Sequence, residues 1–429
     1  MAERTPADIA AALERRPARR LARAATRFAE RLVGREGPSR LPHALTWRLR
    51  ERIWRARSIE VFPGQGQRQG QADDERRLLL VSNDLSLSGA PQLVVEMAQL
   101  LAEGGAAVTV ASSSDGPQRD VLTRAGVTVI VDPSLDRPNP ALMRAVAPAI
   151  DAAICNTVAT APSVEALAPA VPVIWYIHEV SLLEDMLAAD IGLDGALRLP
   201  ARLWAGSELP AALLRPHRAD VAVVPYGVDR LPADGQVRAV AADRPLRLSV
   251  LASIESRKGQ DLLLGALARL APEVRRQVRV TLHGRVLERE FGDALAVRAA
   301  TLPEVTIGGA LDRDGYRAAM LAADAIVIPS RDDTLPLTSL DALGSGRVLI
   351  CTATTGTARY LTSGVDGFVA SEPTAEAIAA TLTEAVGRAG DWPAIAASGQ
   401  STFARVFSRM AFGARIGADL DTIAPARTA

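Results

Sequence analysis

The chain has 429 residues, with 49 basic and 49 acidic side chains, 48% apolar and 23% charged content, and two cysteines. This composition excludes a collagen-like repeat, a small disulfide scaffold and a long disordered tail, and the length calls for two to three domains, because one core rarely grows past about 250–300 residues. Forty-eight of the basic residues are arginine, and the one lysine is Lys258.

The zero net charge conceals a split. Residues 1–70 carry sixteen arginines and seven acids, a charge of +9, and the remainder carries −9. A basic arm on an acidic body points to a polyanionic partner, most simply an anionic membrane surface. Residues 17–33 read as an amphipathic helix, with Leu21, Ala25, Phe28 and Leu32 on one face and Arg19, Arg23, Arg27 and Arg31 on another. A second segment, 43–57, carries Leu45, Leu49, Ile53 and Trp54 beside five arginines. Such faces suit an interfacial helix, and equally a solvated helical pair docked on the body. The glutamine-glycine run at 64–70 reads as a linker. The N-terminus lacks the apolar core of a signal peptide, and no uncharged apolar run of about 18 residues exists, so nothing is expected to span a bilayer. Cys155 and Cys351 are far apart and have no metal-ligand spacing, which fits a reducing compartment.

From Arg77 onward, apolar strand runs alternate with helical stretches. Strands are expected at 78–82, 107–112, 127–131, 152–155, 173–177, 203–206 and 221–224, with a helix at 92–104. After 232–235 the alternation restarts, with strands at 246–251, 279–282, 305–307, 325–328 and 347–351. Helices fit 260–270, 313–322, 335–344 and 375–387, and the tail at 401–423 reads as one helix. Alternation of this kind means parallel sheets covered by helices on both faces, and ligands then lie beyond the carboxyl ends of the strands.

Two stretches carry chemistry. Leu251-Ala-Ser-Ile-Glu-Ser-Arg-Lys-Gly-Gln260 follows a strand and precedes a helix. A cation and a glycine at a helix N-terminus make an anion site, because unpaired amides and the helix dipole point the same way; a surface turn remains the plain alternative. Pro329-Ser-Arg-Asp-Asp-Thr-Leu-Pro-Leu-Thr-Ser-Leu-Asp341 places Thr334 as an N-cap, Pro336 in a first turn, Asp333 just before the helix and Asp341 two turns in. Both aspartates could meet sugar or ribose hydroxyls. Equally, Asp332 or Asp333 caps the helix and Asp341 is solvated. Asp312-Arg-Asp314 imitates a metal-binding motif, but it opens a helix, and capping is the better reading. His43, His217 and His283 read as satisfied structural histidines.

Taken in order, these segments resemble the GT-B glycosyltransferases of glycosyltransferase family 4. The resemblance covers about residues 77–420. Ser88-Gly89-Ala90-Pro91 is similar to that family's N-domain glycine loop, and Ile177-His178-Glu179 to its histidine motif. Val224-Pro-Tyr-Gly-Val-Asp229 is similar to the end of its N-domain. Arg257-Lys258-Gly259 resembles its phosphate-binding lysine motif, and Pro329-Ser330 with Asp333 and Asp341 its paired-acid signature. There are departures. Both family glutamates are aspartates here, the arginine usual before the lysine is replaced around Ala252 and Ser253, and Thr355-Gly356-Thr357-Ala358-Arg359 lacks the acid of the family's donor loop.

The resemblance implies an α/β fold of two Rossmann-like domains facing each other across a cleft, plus a basic helical extension at 1–76. The acceptor domain would span 77–235 and the nucleotide-sugar domain 236–400, with a closing helix at 401–429 that crosses back. It implies a retaining, metal-independent enzyme of bacterial surface-polysaccharide type. Its donor substrate is a nucleotide-diphosphate sugar, its acceptor is a glycan or lipid-linked glycan, and it has no cofactor and no nucleic-acid partner. Lys258, Asp333 and His178 would act at the reacting centre. Gly89, Arg257, Gly259, Arg285, Ser330, Thr334, Leu335, Leu337, Thr338 and Asp341 would bind the donor, and Asp84, Ser88, Ala90 and Glu179 the acceptor. The expected location is cytoplasmic, with the arm available to the inner face of the membrane. A degenerate scaffold protein and another two-Rossmann enzyme, such as a nucleotide-sugar epimerase, remain the competing readings.

Overall fold

The computed structural model describes residues 4–15, 59–65, 75–189, 193–231 and 244–425. The helices read at 17–33 and 43–57, His43, the linker from residue 66 onward and the boundary at 232–235 lie outside these residues. The chain divides into two compact units. The first comprises the described residues up to Ala205, with 214–222 and Arg415 onward; the second comprises 206–213 and Val223–Ala414.

The first unit holds an eight-stranded sheet. Its strands are β1 (Glu60–Phe62), β2 (Arg77–Ser82), β3 (Ala107–Ser112), β4 (Thr128–Val131), β5 (Ala152–Asn156), β6 (Val173–Ile177), β7 (Arg202–Ala205) and β8 (Ala222–Val223), in the order β1-β4-β3-β2-β5-β6-β7-β8. Strands β2 to β7 pair in parallel. Leu78, Leu79, Leu80 and Val81 are consecutive and all buried, as a strand covered on both faces requires. The order runs outward from β2 on one side and from β5 on the other, so the topological switch point lies between these two strands.

Two pieces of this unit were not expected. Helix α1 (Pro6–Glu14) opens with a reciprocal capping box between Thr5 and Asp8 and buries Ala10 and Leu13. Strand β1 pairs antiparallel with β4 at the sheet edge. The Glu14 carboxylate accepts from the Ile59 amide at 2.8 Å, joining the two pieces. Gln65, inside the stretch read as linker, donates its amide to the Thr123 carbonyl at 2.7 Å, because the chain leaving β1 still runs along the sheet. Helix α2 (Gly89–Glu103) starts three residues before the expected position, with Ser88 at its N-cap and Pro91 in its first turn.

The second unit holds a six-stranded sheet. Its strands are β9 (Leu246–Leu251), β10 (Val278–His283), β11 (Val305–Gly309), β12 (Ala325–Ile328), β13 (Val348–Thr352) and β14 (Phe368–Ala370), all parallel, in the order β11-β10-β9-β12-β13-β14. Its switch point lies between β9 and β12. Its helices include α3 (Gln260–Leu267), α4 (Arg289–Ala299), α5 (Arg313–Ala322), α6 (Leu337–Gly344), α7 (Ala375–Gly387) and α8 (Trp392–Thr402). Asp312 caps α5 by accepting from the Gly315 amide at 2.8 Å.

Two helix readings need correction. Helix α6 begins at Leu337 with Pro336 at its N-cap, so Thr334 is not the cap and Asp341 lies one turn in, not two. Leu335 precedes a proline, which disfavours the helical backbone there. Residue 333 is also bridged in strand fashion to Thr355. The tail is not one helix either. After α8, a π-helical turn (Phe403–Phe407) and an extended Ser408 precede α9 (Arg409–Ile423). The break is held by Val228, whose amide donates to the Phe407 carbonyl at 3.0 Å and whose carbonyl accepts from Arg409 at 3.1 Å. Among the described residues, no helix is long and apolar enough to cross a membrane.

Candidate functional site

Polar residues collect at the switch point of each sheet. In the second unit, the segment after β9 and the segment after β12 meet there. Gly259 ends the short turn Ser256–Lys258 with φ +67°. A Cβ at this position would collide with the Pro329 carbonyl, so glycine lets the two segments touch. That approach brings Lys258 Nζ to 2.6 Å from Asp333 Oδ2, with the two side chains 14% and 11% exposed. Ser330 Oγ lies 3.5 Å from the same oxygen. Arg257 donates to the Asp332 carbonyl at 3.2 Å and stands 3.9 Å from Asp333 Oδ1.

Backbone pairing fixes Asp333. Its amide donates to the Thr354 carbonyl at 3.1 Å, and its carbonyl accepts from Gly356 at 2.7 Å. The hydroxyls of Thr352 and Thr354 both donate to the Ser330 carbonyl. Thr338 donates its hydroxyl to the Leu251 carbonyl at 3.0 Å, which seats the first turn of α6 over the end of β9. In that first turn the Ser339 amide donates to the Pro336 carbonyl at 2.9 Å, while the Leu337 and Thr338 amides make no backbone hydrogen bond among the described residues. With Lys258 adding its charge at the same switch point, the segment suits a phosphate.

The other expected donor residues are placed as follows. Leu335 is buried, and its carbonyl accepts from the Tyr226 hydroxyl. Burial, with Asp333 adding to it, pushes that phenol well above its ordinary pKa, so it stays a donor. Asp341 Oδ2 accepts from the Tyr316 hydroxyl at 2.7 Å, so it is not a solvated helix residue. Arg285 has an exposed side chain, and its carbonyl accepts from the Ile254 amide at 2.9 Å. Gly89 belongs to the first unit. His283 is not a satisfied histidine: its Nδ1 is buried with no hydrogen-bond partner among the described residues, and its ring fills the space that the missing side chain of Gly308 leaves.

In the first unit, the segments after β2, β5 and β6 meet. Asp84 folds back on its own loop, accepting from Ser86 N at 2.8 Å and from Asn83 Nδ2 at 2.9 Å. Ser88 and Ser86 share a hydroxyl contact of 3.0 Å. The Ala90 carbonyl accepts from Asn156 Nδ2 at 3.1 Å. The other end of that amide, Oδ1, lies 3.1 Å from His178 Nε2. Glu179 turns toward backbone: its carboxylate accepts from the Val158 amide at 3.2 and 3.3 Å and from the His178 amide at 3.1 Å. Thr157, between Asn156 and Val158, is held at φ +83° with its hydroxyl buried and unpaired among the described residues. A backbone there costs of order 1–3 kcal/mol. Burial holds the His178 imidazole below its ordinary pKa against the opposing pull of Glu179, so the ring is neutral at pH 7.

Asn156, Thr157, Tyr226 and Tyr316 were missed as site residues. The signal for Asn156 was a polar residue at the carboxyl end of an otherwise apolar strand; for Tyr226, a tyrosine inside a segment already singled out.

Two Rossmann-like units, each with its polar residues gathered at a switch point, define the GT-B class of fold. Residues 74–184 match the family described as glycosyl-transferase family 4, and residues 237–388 match glycosyl transferases group 1. Together these cover more than half of the chain, which belongs to this glycosyltransferase group. Solved structures share its fold. HepE of Anabaena, in complex with UDP, superposes with a TM-score of 0.65 at 17% identity, covering 81% of this chain and 100% of that one. The same protein was also solved with UDP-glucose. Sucrose-phosphate synthase of Thermosynechococcus elongatus gives 0.66 at 17% identity, covering 81% and 99%. WaaG, a glycosyltransferase involved in lipopolysaccharide biosynthesis, gives 0.58 at 17% identity, with the same coverage. No curated protein sequence matches the chain.

Proposed function

We propose that the protein is a retaining, metal-independent glycosyltransferase. It moves a sugar from a nucleotide-diphosphate sugar to a glycan or lipid-linked acceptor in bacterial cell-surface polysaccharide synthesis. The observation that carries this reading is the largely buried Lys258–Asp333 pair, 2.6 Å apart, at the switch point of the second sheet. Cleaving the anomeric bond develops negative charge on the leaving diphosphate. Lys258 and the Leu337 and Thr338 amides at the start of α6 neutralise that charge, the electrostatic contribution that usually dominates catalysis. Asp333 holds sugar hydroxyls through whichever oxygen the ammonium leaves available, and Asp341, braced by Tyr316, accepts from the ribose. The acceptor proton passes to the leaving phosphate on the same face of the sugar, so no carboxylate nucleophile is used. Lys258 supplies the cation, and Asp312 of the Asp312-Arg-Asp314 motif is engaged as a helix cap. The likeness to proteins solved with UDP-glucose makes that sugar nucleotide the first donor to try, and the likeness to WaaG supports a surface-polysaccharide role.

The test is turnover across UDP-, GDP- and dTDP-sugars, comparing wild type with Lys258→Ala and reading product anomers by NMR. Failure of wild type both to turn over and to be thermally stabilised by any of them sinks the proposal. Stabilisation without turnover identifies a scaffold instead. Association of the basic arm with an anionic membrane is tested by vesicle flotation after removing residues 16–58. That cut spares α1 and β1, which belong to the first unit. Undiminished flotation would exclude the arm as the anchor.

A further inference from the structure

The side chain joining Ala90 to His178 fixes more than a position. A backbone carbonyl can only accept a hydrogen bond. The group 3.1 Å from the Ala90 carbonyl is therefore the Asn156 NH2, and the amide oxygen must face His178. An amide oxygen also only accepts. At 3.1 Å, His178 Nε2 must therefore carry a proton, because two lone pairs would otherwise face each other. The imidazole is neutral near pH 7, so it has one N–H, and this contact places it on Nε2. Nδ1 is left with a lone pair and no hydrogen-bond partner among the described residues. His178 is half-buried, so this face of the ring remains reachable.

We propose that Asn156 is a positioning residue that locks His178 in its Nε2–H tautomer, so that Nδ1 accepts a hydrogen bond from a hydroxyl of the sugar substrate. This deepens the glycosyltransferase reading and rests on it for the sugar, while the tautomer itself does not. Three neighbours hold the arrangement in place. The Thr157 amide donates to the Tyr176 carbonyl at 2.8 Å, and Trp175 Nε1 donates to the Thr157 carbonyl at 2.9 Å. The Glu179 carboxylate ties Val158 to the histidine's own backbone. Tyr176 packs edge-on against the imidazole, with ring centroids 5.7 Å apart. The charged group facing the ring is Glu179, and its two backbone donors hold it in place while the imidazole stays neutral. With the lock removed, the two tautomers of a free imidazole interchange, and only part of the population presents its lone pair toward the substrate.

The experiment is nitrogen-15 NMR of histidine-labelled full-length protein, with His178 assigned by its loss in His178→Gln, alongside pH profiles of kcat. Wild type is expected to show Nε2 protonated and Nδ1 bare. Asn156→Ala is expected to show mixed tautomers and a fall in kcat of at least about tenfold with donor KM unchanged. Asn156→Asp, the second variant should the alanine form not fold, places a carboxylate on the imidazole and is expected to move the acid limb of the kcat profile upward by about one pH unit. A bare Nε2 in wild type overturns the lock. So does an unchanged tautomer in both variants. Unchanged kcat together with an unchanged pH profile, despite a changed tautomer, overturns the role assigned to Nδ1. Absence of any turnover in wild type would sink the glycosyltransferase reading instead and leave the NMR result to decide the lock.

Discussion

Replacing Lys258 separates its observed contact with Asp333 from the duty proposed for it, holding phosphate in the reaction. The ammonium is 2.6 Å from Asp333 Oδ2, and both side chains are less than one-sixth exposed. At such a site the charges are poorly screened, and removing one partner of a buried pair costs about 3–5 kcal/mol. In Lys258→Ala, Arg257 remains 3.9 Å from the other carboxylate oxygen and offsets part of that loss, so the lower end, about 3 kcal/mol, is expected. That corresponds to a thermal midpoint lowered by roughly 6–12 °C for a unit of this size. Lys258→Arg keeps the charge. Its stability cost is expected to be under about 1 kcal/mol, since Asp333 still has a cation against it.

Turnover should respond differently. The planar guanidinium cannot place a single compact charge where the ammonium stood. Loss of one preorganised stabiliser of developing charge costs about 10²–10³ in kcat. The assay pairs differential scanning fluorimetry with nucleotide-sugar turnover for wild type and both variants. The reasoning predicts that Lys258→Arg melts with wild type and turns over like Lys258→Ala. Full activity in Lys258→Arg would refute it and make the chain's one lysine a coincidence. A midpoint in Lys258→Ala equal to wild type would refute the estimate of the pair's contribution.

Gly259→Ala is expected to cost at least about 2 kcal/mol, because φ is +67° and the new Cβ meets the Pro329 carbonyl; urea unfolding measures this, and weakened UDP binding by calorimetry should accompany it. Tyr226→Phe leaves the Leu335 carbonyl without its hydroxyl donor, at an expected cost of about 1–2 kcal/mol and with a raised donor KM. Acid sensitivity follows from His178. The unfolded chain takes up this proton near pH 6.5, and the folded chain does so only at lower pH, because burial disfavours the charged ring. The unfolded state therefore holds more protons in that window, and stability is complete above about pH 6.5 and falls below it by at most about 1.4 kcal/mol per pH unit. A slope of that sign should be missing from the urea-derived stability of His178→Gln between pH 7.5 and 5.5.

Much of the candidate donor segment is legible in the sequence because its chemistry is local. Arg257, Lys258 and Gly259 are adjacent at a strand end, and Ser330, Asp333 and Asp341 lie within one strand–loop–helix segment. Alternation of apolar runs then brings both to the carboxyl ends of one parallel sheet. What escapes is whatever depends on strand order or on who faces whom across the fold. Asn156 and His178 are 22 residues apart and meet only because β5 and β6 are neighbours. Tyr226 and Leu335 are 109 residues apart, and no periodicity links them. The misplaced helix start belongs to the same class: the local cap signal at Thr334 was overridden by pairing of residues 333 and 356. The edge strand β1 has three residues, too short to carry a period.

The arginine-rich composition gains a physical reading from the same geometry. Arg257 and Lys258 are consecutive cations, yet they are bonded in opposite styles. The guanidinium of Arg257 stands 3.6–3.9 Å from carboxylates of Glu255, Asp332 and Asp333 and donates to the Asp332 carbonyl. Lys258 commits one short contact to one oxygen. A fork with five donors suits the first task, since it can satisfy several acceptors that do not lie in one direction. The second task calls for a point charge on a flexible stem that can leave a carboxylate oxygen for a phosphate oxygen without breaking a bidentate pair. On the mechanism proposed above, a bias that fills basic positions with arginine can therefore run through the whole chain except where the cation must exchange partners during the reaction. The residue beside Lys258 shows what would be lost there: an arginine held by three carboxylates at once would hold its ground, and the phosphate would meet a cation already engaged.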